Sequence, residues 1–259
     1  MIYITLIYCN FSGKEKEFYS RKKLNDKIIV PFCPESELSG IGNKDFMYCV
    51  WYRKDIEIPQ NWKDKKIILH FGAVDYKSTV NVNGEEVGTH CGGYTSFSFD
   101  ITKYLCDTEN YITICAEDNV KSDTQPSGKQ SHKYKSYGCH YTRTTGIWQT
   151  VWMECVSENY IQNIKIDTDI NIPSVKIDIK TPLNSSTYTV SAKAYYDGIL
   201  MGENETVVNS WGTSIGFNLA EKHLYDVEQE QNGLLTYERK FKFEPEFFYK
   251  INTQKAAIE

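Results

Sequence analysis

Polar and apolar residues alternate in the stretch TVNVNGEEVG at positions 79–88. Successive side chains point to opposite faces of a β-strand, so Val80 and Val82 share one face. Asn83-Gly84 tolerates the positive φ angles of a type I′ turn. The stretch therefore predicts a β-hairpin, with positions 80–82 in one strand and positions 86–88 in the other.

The same alternation extends outward from the hairpin in both directions, and helical periodicity is nearly absent. Trp148 and Trp152 lie on the face opposite to Ile147, Val151 and Met153. Many short strands separated by turn residues are typical of a sandwich or jelly roll. The alternating runs lie at positions 67–71, 95–101, 112–116 and 147–153, then at 164–166, 175–179 and 188–196.

Length and composition predict two globular domains. The chain has 259 residues, 41% of them hydrophobic and 24% charged, which is enough apolar material for a core and excludes disorder as the main state. The second group of alternating runs predicts a smaller sandwich of immunoglobulin-like size. We expect one domain over residues 1–157 and a second over 158–259, with an irregular tail from Val227 onward.

Charge and cysteine usage exclude several classes of protein. The net charge of -5 without a block of one sign predicts neither a nucleic-acid nor a membrane partner. The eight cysteines form no CxxC pair and no zinc-finger spacing, so we expect most of them to be buried thiols, with no metal site and no cofactor. The opening residues lack a basic segment and a cleavage site, which predicts a strand and, by default, a cytoplasmic protein.

A long loop interrupts the alternation between Asp118 and Tyr141. Loops longer than about 12 to 15 residues inside a compact domain are usually functional or disordered. Tyr134, Tyr137 and Tyr141 favour a functional loop.

Three stretches together resemble the non-catalytic N-terminal part of a family-2 glycoside hydrolase, the group of β-galactosidases and β-glucuronidases. The resemblance covers roughly residues 20 to 156 and implies a galactose-binding-like jelly roll, followed by an immunoglobulin-like domain. The stretches are PFCPESELSGIG at 31–42 with VWYRK at 50–54, then LHFGAVDY at 69–76 with VNVNGEEVG at 80–88 and GGYTSF at 92–97, and finally YTRTTGIWQTVW at 141–152.

The resemblance also implies that catalysis takes place elsewhere. Glycoside hydrolysis needs two carboxylates across the scissile bond. The family carries both on a (β/α)₈ barrel that follows the sandwich domains. We therefore expect no catalytic residue here, carbohydrate and a barrel of a full-length parent as partners, and an apolar docking surface that favours homo-oligomers in isolation. Both ends are expected to be clipped.

In this family the loop before the Gly-Ile strand reaches over the barrel and contacts sugar, with a carboxylate six residues ahead of the glycine. His140 stands at that position here. The resemblance implies substrate-binding side chains on this loop, whose planar or long polar groups suit sugar hydroxyls. The candidates are Gln125, Lys129, Gln130, His140, Tyr141 and Arg143. Each could equally be a surface residue, and Arg143 could be a buried ion-pair partner.

Two other functions are compatible with the sequence. A free-standing carbohydrate-binding module would recognise glycans by aromatic stacking and hydrogen bonds. A scaffold protein would use both sandwiches only for assembly.

Overall fold

The chain divides into two compact units, Met1–Cys155 and Val156–Glu259. The described residues contain β-strands and short 3-10 turns but no α-helix, which confirms the predicted all-β class. No helix in this part of the chain is long and apolar enough to cross a membrane. The computed structural model describes residues 2–9, 24, 26–169, 171–183, 187–196, 198–209, 211–221, 227–229 and 235–237.

The first unit is built from a six-stranded sheet and a three-stranded sheet. The strands are β1 Ile2–Cys9, β2 Asp26–Val30, β3 Cys49–Ile56, β4 Lys66–Phe71, β5 Val74–Asp75, β6 Lys77–Val82, β7 Glu85–Cys91, β8 Phe97–Asp100, β9 Asn110–Glu117, β10 Gly146–Ile147 and β11 Val151–Val156. The large sheet has the order β2-β1-β3-β9-β6-β7 and the smaller one β11-β4-β8, while β5 and β10 form a separate pair. The 3-10 turns are Glu37–Ser39, Gln60–Trp62 and Thr102–Tyr104.

The core of this unit contains side chains from both sheets. Tyr52 and Ile114 of the large sheet belong to the same buried cluster as Leu69 and Phe71 of the small one. Each strand contributes every second residue to the core because its side chains alternate between faces. The unit is therefore the predicted jelly-roll sandwich.

The predicted hairpin is present. Asn83 and Gly84 have φ angles of 52° and 89°, as a two-residue turn of this type requires. The flanking strands β6 and β7 are longer than predicted, and their register shifts between Val80 and Asn81. This irregularity is a β-bulge, which alternation alone does not indicate.

The second unit is a smaller antiparallel assembly. Its strands are β12 Asn163–Asp169, β13 Ser174–Lys180, β14 Thr187–Tyr196, β15 Ile199–Asn209, β16 Gly212–Asn218, β17 Val227–Gln229 and β18 Leu235–Tyr237. They pair as β12-β13-β16, β14-β15 and β17-β18. Ile177, Val190, Val208 and Ile215 are central to its core. Of the tail predicted from Val227 onward, the two last strands are described and the rest lies outside the described residues.

Candidate functional site

The long predicted loop is the connection between β9 and β10, residues 118–145, and both of its ends are fixed to the large sheet. At its start, the Asp118 amide donates a hydrogen bond to the Tyr48 carbonyl at 2.9 Å. Just beyond its end, the Ile147 amide donates to Tyr52 Oη at 3.1 Å, in the interior of the unit. The sandwich thus determines where the loop begins and ends.

Gly146 makes the end of the loop possible. Its φ of 75° lies in the left-handed region, where residues with a Cβ are strained. A Cβ at this position would also overlap the hydroxyl of Tyr52. Glycine is therefore required at position 146 by backbone conformation and by close packing.

Three buried carboxyl groups support the loop: Glu35 and Asp75 from other segments, and Asp118 at the start of the loop itself, and each accepts a hydrogen bond from an amide of a loop residue. Glu35 accepts a hydrogen bond from the Thr145 amide at 3.2 Å. Asp75 Oδ2 accepts from Gln130 Nε2 at 2.8 Å, and Asp118 Oδ1 accepts from Gln125 Nε2. The relative exposures of the three acidic residues are only 4%, 3% and 3%.

Burial makes these three carboxyls weaker acids than carboxyls in water. Loss of solvent raises the pKa of Glu35 to about 7 and that of Asp75 to about 6, although their hydrogen bonds act in the opposite direction. Burial also raises the pKa of Asp118 to about 7, with further increases from the charges of Asp75 and Glu35. The charges of Asp75 and Glu35 therefore act on the protonation of Asp118.

Gln130 connects this carboxyl cluster to the loop backbone. Its Nε2 donates to Asp75, while its Oε1 accepts from the Thr144 amide at 2.8 Å. Gln125 has a similar bridging role, since its Oε1 accepts from the Asn119 amide at 3.1 Å. Both glutamines were predicted to contact sugar. Gln130 is buried, and both ends of its side chain make hydrogen bonds within the protein.

Arg143 fixes a second part of the loop. Its guanidinium donates to the carbonyls of Lys133 at 2.6 Å and Tyr134 at 3.2 Å, and also to the Lys44 carbonyl. Its Cζ lies 4.3 Å from the centre of the Phe46 ring. The sequence allowed either a surface position or a buried ion pair for Arg143. The residue is buried, and the hydrogen-bond acceptors of its guanidinium are backbone carbonyls and not a carboxylate.

An aromatic group forms where Tyr141 of the loop meets Tyr94 of the β7–β8 connection and Trp148, which follows β10. The hydroxyls of Tyr94 and Tyr141 lie 3.3 Å apart. Trp148 packs edge-on against Tyr94 at 5.5 Å between ring centres and donates from Nε1 to the Gly93 carbonyl at 2.7 Å. Tyr94 is 63% exposed and Tyr141 is 42% exposed.

The structure separates the six predicted site residues into two groups. Lys129 and Tyr141 are exposed, and His140 is half-buried with its ring stacked 4.8 Å from that of Tyr137. Gln125 is half-buried, whereas Gln130 and Arg143 are buried in the support of the loop. Lys129, His140 and Tyr141 can therefore contact a ligand from solvent.

Several residues of the site were not among the predicted ligand contacts, Glu35 and Tyr94 among them. Glu35 and Tyr94 come from segments far from the loop in sequence, and Thr145 and Glu35 are 110 positions apart. The stretches GGYTSF and PFCPES contain these residues, so the motifs indicated the segments but not their meeting point.

The cluster of Glu35, Asp75 and Asp118 is better suited to supporting the loop than to catalysis. A cavity of about 10 Å³ borders Asp118, Arg143 and Thr145, which is room for roughly one water molecule and not for a sugar. Across the described residues, no group of three or more His, Cys, Asp or Glu side chains is arranged to hold a metal ion.

Comparison with known proteins gives consistent matches. Residues 42–153 match the family model described as "Glycosyl hydrolases family 2, sugar binding domain". The chain is 31% identical over 171 residues to a beta-galactosidase of Thermoanaerobacter pseudethanolicus, covering 65% of this chain and 21% of the relative. It is 28% identical over 172 residues to a beta-glucuronidase of Paenibacillus borealis, covering 61% of this chain and 28% of the relative. The chain thus spans less than a third of the length of these relatives.

The fold likewise occurs in solved structures. A calcium-binding mutant of Bacteroides uniformis beta-glucuronidase 2 superimposes with a TM-score of 0.64 at 22% identity, over 86% of this chain and 28% of that one. At this identity the likeness establishes the fold alone.

Proposed function

Residues 42–153 are a sugar-binding domain of glycosyl hydrolase family 2, and from this premise we propose that the chain is the accessory, non-catalytic portion of a family 2 glycosidase. It contributes sugar-contacting side chains and a scaffold to an active site whose catalytic carboxylates lie on a partner barrel. The relatives named above are a beta-galactosidase and a beta-glucuronidase. We therefore propose a β-galactoside or β-glucuronide as the sugar.

The observation that carries this proposal is the exposed pair of Tyr141, on the loop, and Tyr94, from the β7–β8 connection, whose hydroxyls lie 3.3 Å apart. Aromatic rings offer an apolar face to a sugar ring, and phenolic hydroxyls donate and accept hydrogen bonds. Because Gln130 and Arg143 hold the loop from within, little conformational entropy is lost when a sugar binds.

Lys129 and His140 extend this surface on the same loop. Lys129 carries a positive charge and is exposed, so a glucuronide carboxylate has a cationic partner that a galactoside does not use. The proposal therefore predicts that Lys129→Ala weakens glucuronide binding more than galactoside binding.

Two assays on the full chain test the proposal. In the first, the chain is incubated with nitrophenyl β-galactoside and nitrophenyl β-glucuronide, and we expect no nitrophenol release. In the second, isothermal titration with the corresponding methyl glycosides should give weak, saturable binding, because one face of the sugar has no barrel to close the pocket.

A matched pair of variants identifies the binding surface. Tyr141→Ala should reduce the affinity at least tenfold, whereas Trp211→Ala, which removes an aromatic side chain 66% exposed in the second unit, should leave it unchanged. Hydrolysis by the chain alone would contradict the non-catalytic role. Tight binding of free glycans without any barrel would favour the carbohydrate-binding module instead.

A further inference from the structure

Two thiols meet on the large sheet. Cys49 begins β3 and Cys115 lies near the end of β9, and their Sγ atoms are 3.2 Å apart. In the antiparallel register Cys49 lies opposite Glu117 and Cys115 lies opposite Trp51, so the cysteines are diagonal neighbours on one face. Both are thiols, not members of a disulfide.

The pair belongs to a small cluster separate from the sandwich core. Cys49 and Cys115 are packed with Leu24, Trp51 and the partly buried Ile7. Their relative exposures are 0% and 5%. This packing holds the sulfur atoms together, and because Cys49 is fully buried and Cys115 only 5% exposed, the oxidant must be a small molecule.

We propose that Cys49 and Cys115 are a redox modification site, where hydrogen peroxide converts the two thiols to an intramolecular disulfide. The thiolate of one cysteine attacks a peroxide oxygen, the O–O bond breaks, and a sulfenic acid forms with release of water after proton transfer. The second sulfur then attacks the sulfenic sulfur, the S–S bond forms, and the S–O bond breaks to release a second water. Two thiols are oxidised by two electrons, and one peroxide is reduced to two waters.

The geometry favours this reaction over further oxidation of either sulfur. A disulfide needs an S–S separation of about 2.0 Å, so the sulfur atoms must approach by roughly 1 Å from their present positions. The resolving thiol is already in contact when the sulfenic acid forms, which gives it the advantage over a second peroxide molecule.

The modification would act at the base of the long loop. Tyr48, the neighbour of Cys49, provides the carbonyl that holds the Asp118 amide at 2.9 Å. Cys115 precedes Asp118 by three residues on β9. A disulfide would therefore link β3 to β9 where the loop departs, whether or not the loop binds sugar.

The test uses a full-length background variant in which three exposed cysteines are replaced by serine. After peroxide treatment and denaturing alkylation, we expect two fewer alkylated cysteines, a mass lower by two hydrogen atoms before alkylation, and full recovery with dithiothreitol. Non-reducing peptide mapping should link Cys49 to Cys115. The background substitutions are Cys91→Ser, Cys106→Ser and Cys139→Ser.

Two further variants distinguish the pairing. Cys49→Ala should abolish the loss of two hydrogen atoms, whereas Cys9→Ser should retain it, although Cys9 lies opposite Cys49 in the β1–β3 register. A Cys9–Cys49 link, a gain of oxygen at either sulfur without a cross-link, or two fully alkylated thiols after treatment would each overturn the proposal. The peptide map of the background variant shows which two cysteines are linked even if Cys49→Ala does not fold.

Discussion

Replacing Asp118 by asparagine should stabilise the protein above neutral pH. Burial, together with the charges of Asp75 and Glu35, raises the pKa of Asp118 from 3.8 to about 7. The folded state therefore binds this proton more tightly than the unfolded chain does. The associated stability is complete below pH 4 and is lost as the pH rises through about 7.

The size of the effect follows from that interval. A difference of roughly 3 pH units at about 1.4 kcal/mol per unit gives about 4 kcal/mol lost by wild type between pH 4 and pH 8 from Asp118. Asparagine carries no charge at any of these pH values. Its side-chain oxygen can still accept the hydrogen bond from Gln125 Nε2 that Asp118 Oδ1 accepts now.

Urea unfolding at pH 5 and pH 8 measures the part of this loss that falls above pH 5, which is about 2 pH units or about 3 kcal/mol for wild type. Tryptophan fluorescence reports mainly on the first unit, which contains four of the five tryptophans, Trp51, Trp62, Trp148 and Trp152. We expect Asp118→Asn to lose less free energy of unfolding between the two pH values than wild type, and to be the more stable protein at pH 8.

Asp178→Asn is the matched control. This carboxyl is on the surface of the second unit, and hydrogen bonds from Ser214 and Lys176 hold its pKa below the ordinary value. Its replacement should not reduce the loss of stability between pH 5 and pH 8. The reasoning is refuted if Asp118→Asn changes with pH as steeply as wild type, or if it is equally destabilised at both pH values.

Substitutions at the ends and interior of the loop give further predictions. Gly146→Ala should lower the free energy of unfolding by about 2 to 4 kcal/mol, because alanine is strained at a left-handed φ and its Cβ would displace Tyr52. Gly138 also has a positive φ, of 52°, but open space surrounds it. Gly138→Ala should therefore lower the free energy of unfolding by only about 1 kcal/mol in the same urea assay. Gln130→Leu removes the donor to Asp75 and should cost about 2 kcal/mol. Limited proteolysis within residues 118–145 should then be about tenfold faster, and an unchanged cleavage rate would contradict the bridging role.

Local sequence signals predicted most of the first unit correctly. The turn residues Asn83-Gly84 and the alternation around Val80 are sufficient to specify a hairpin, and the structure contains it between β6 and β7. The loop was also evident, because no alternation connects Asp118 to Gly146.

The interior of the site was less predictable because it depends on contacts between distant residues. Asp75 is 3% exposed and bonded to Gln130, 55 positions away, a contact that no local pattern around Asp75 indicates. Planar polar side chains such as those of Gln130 and Arg143 suit sugar hydroxyls and buried backbone groups equally well. Their spacing in sequence cannot distinguish these roles, whereas their burial does.

The most direct measurement for the accessory role is a nuclear magnetic resonance titration of the isotopically labelled chain with methyl β-galactoside and methyl β-glucuronide. We predict saturable shifts confined to Tyr94, Trp148 and residues 129–141, while the sugar is recovered intact. Shifts centred on the second unit, no shifts with either sugar, or appearance of the free monosaccharide would contradict it.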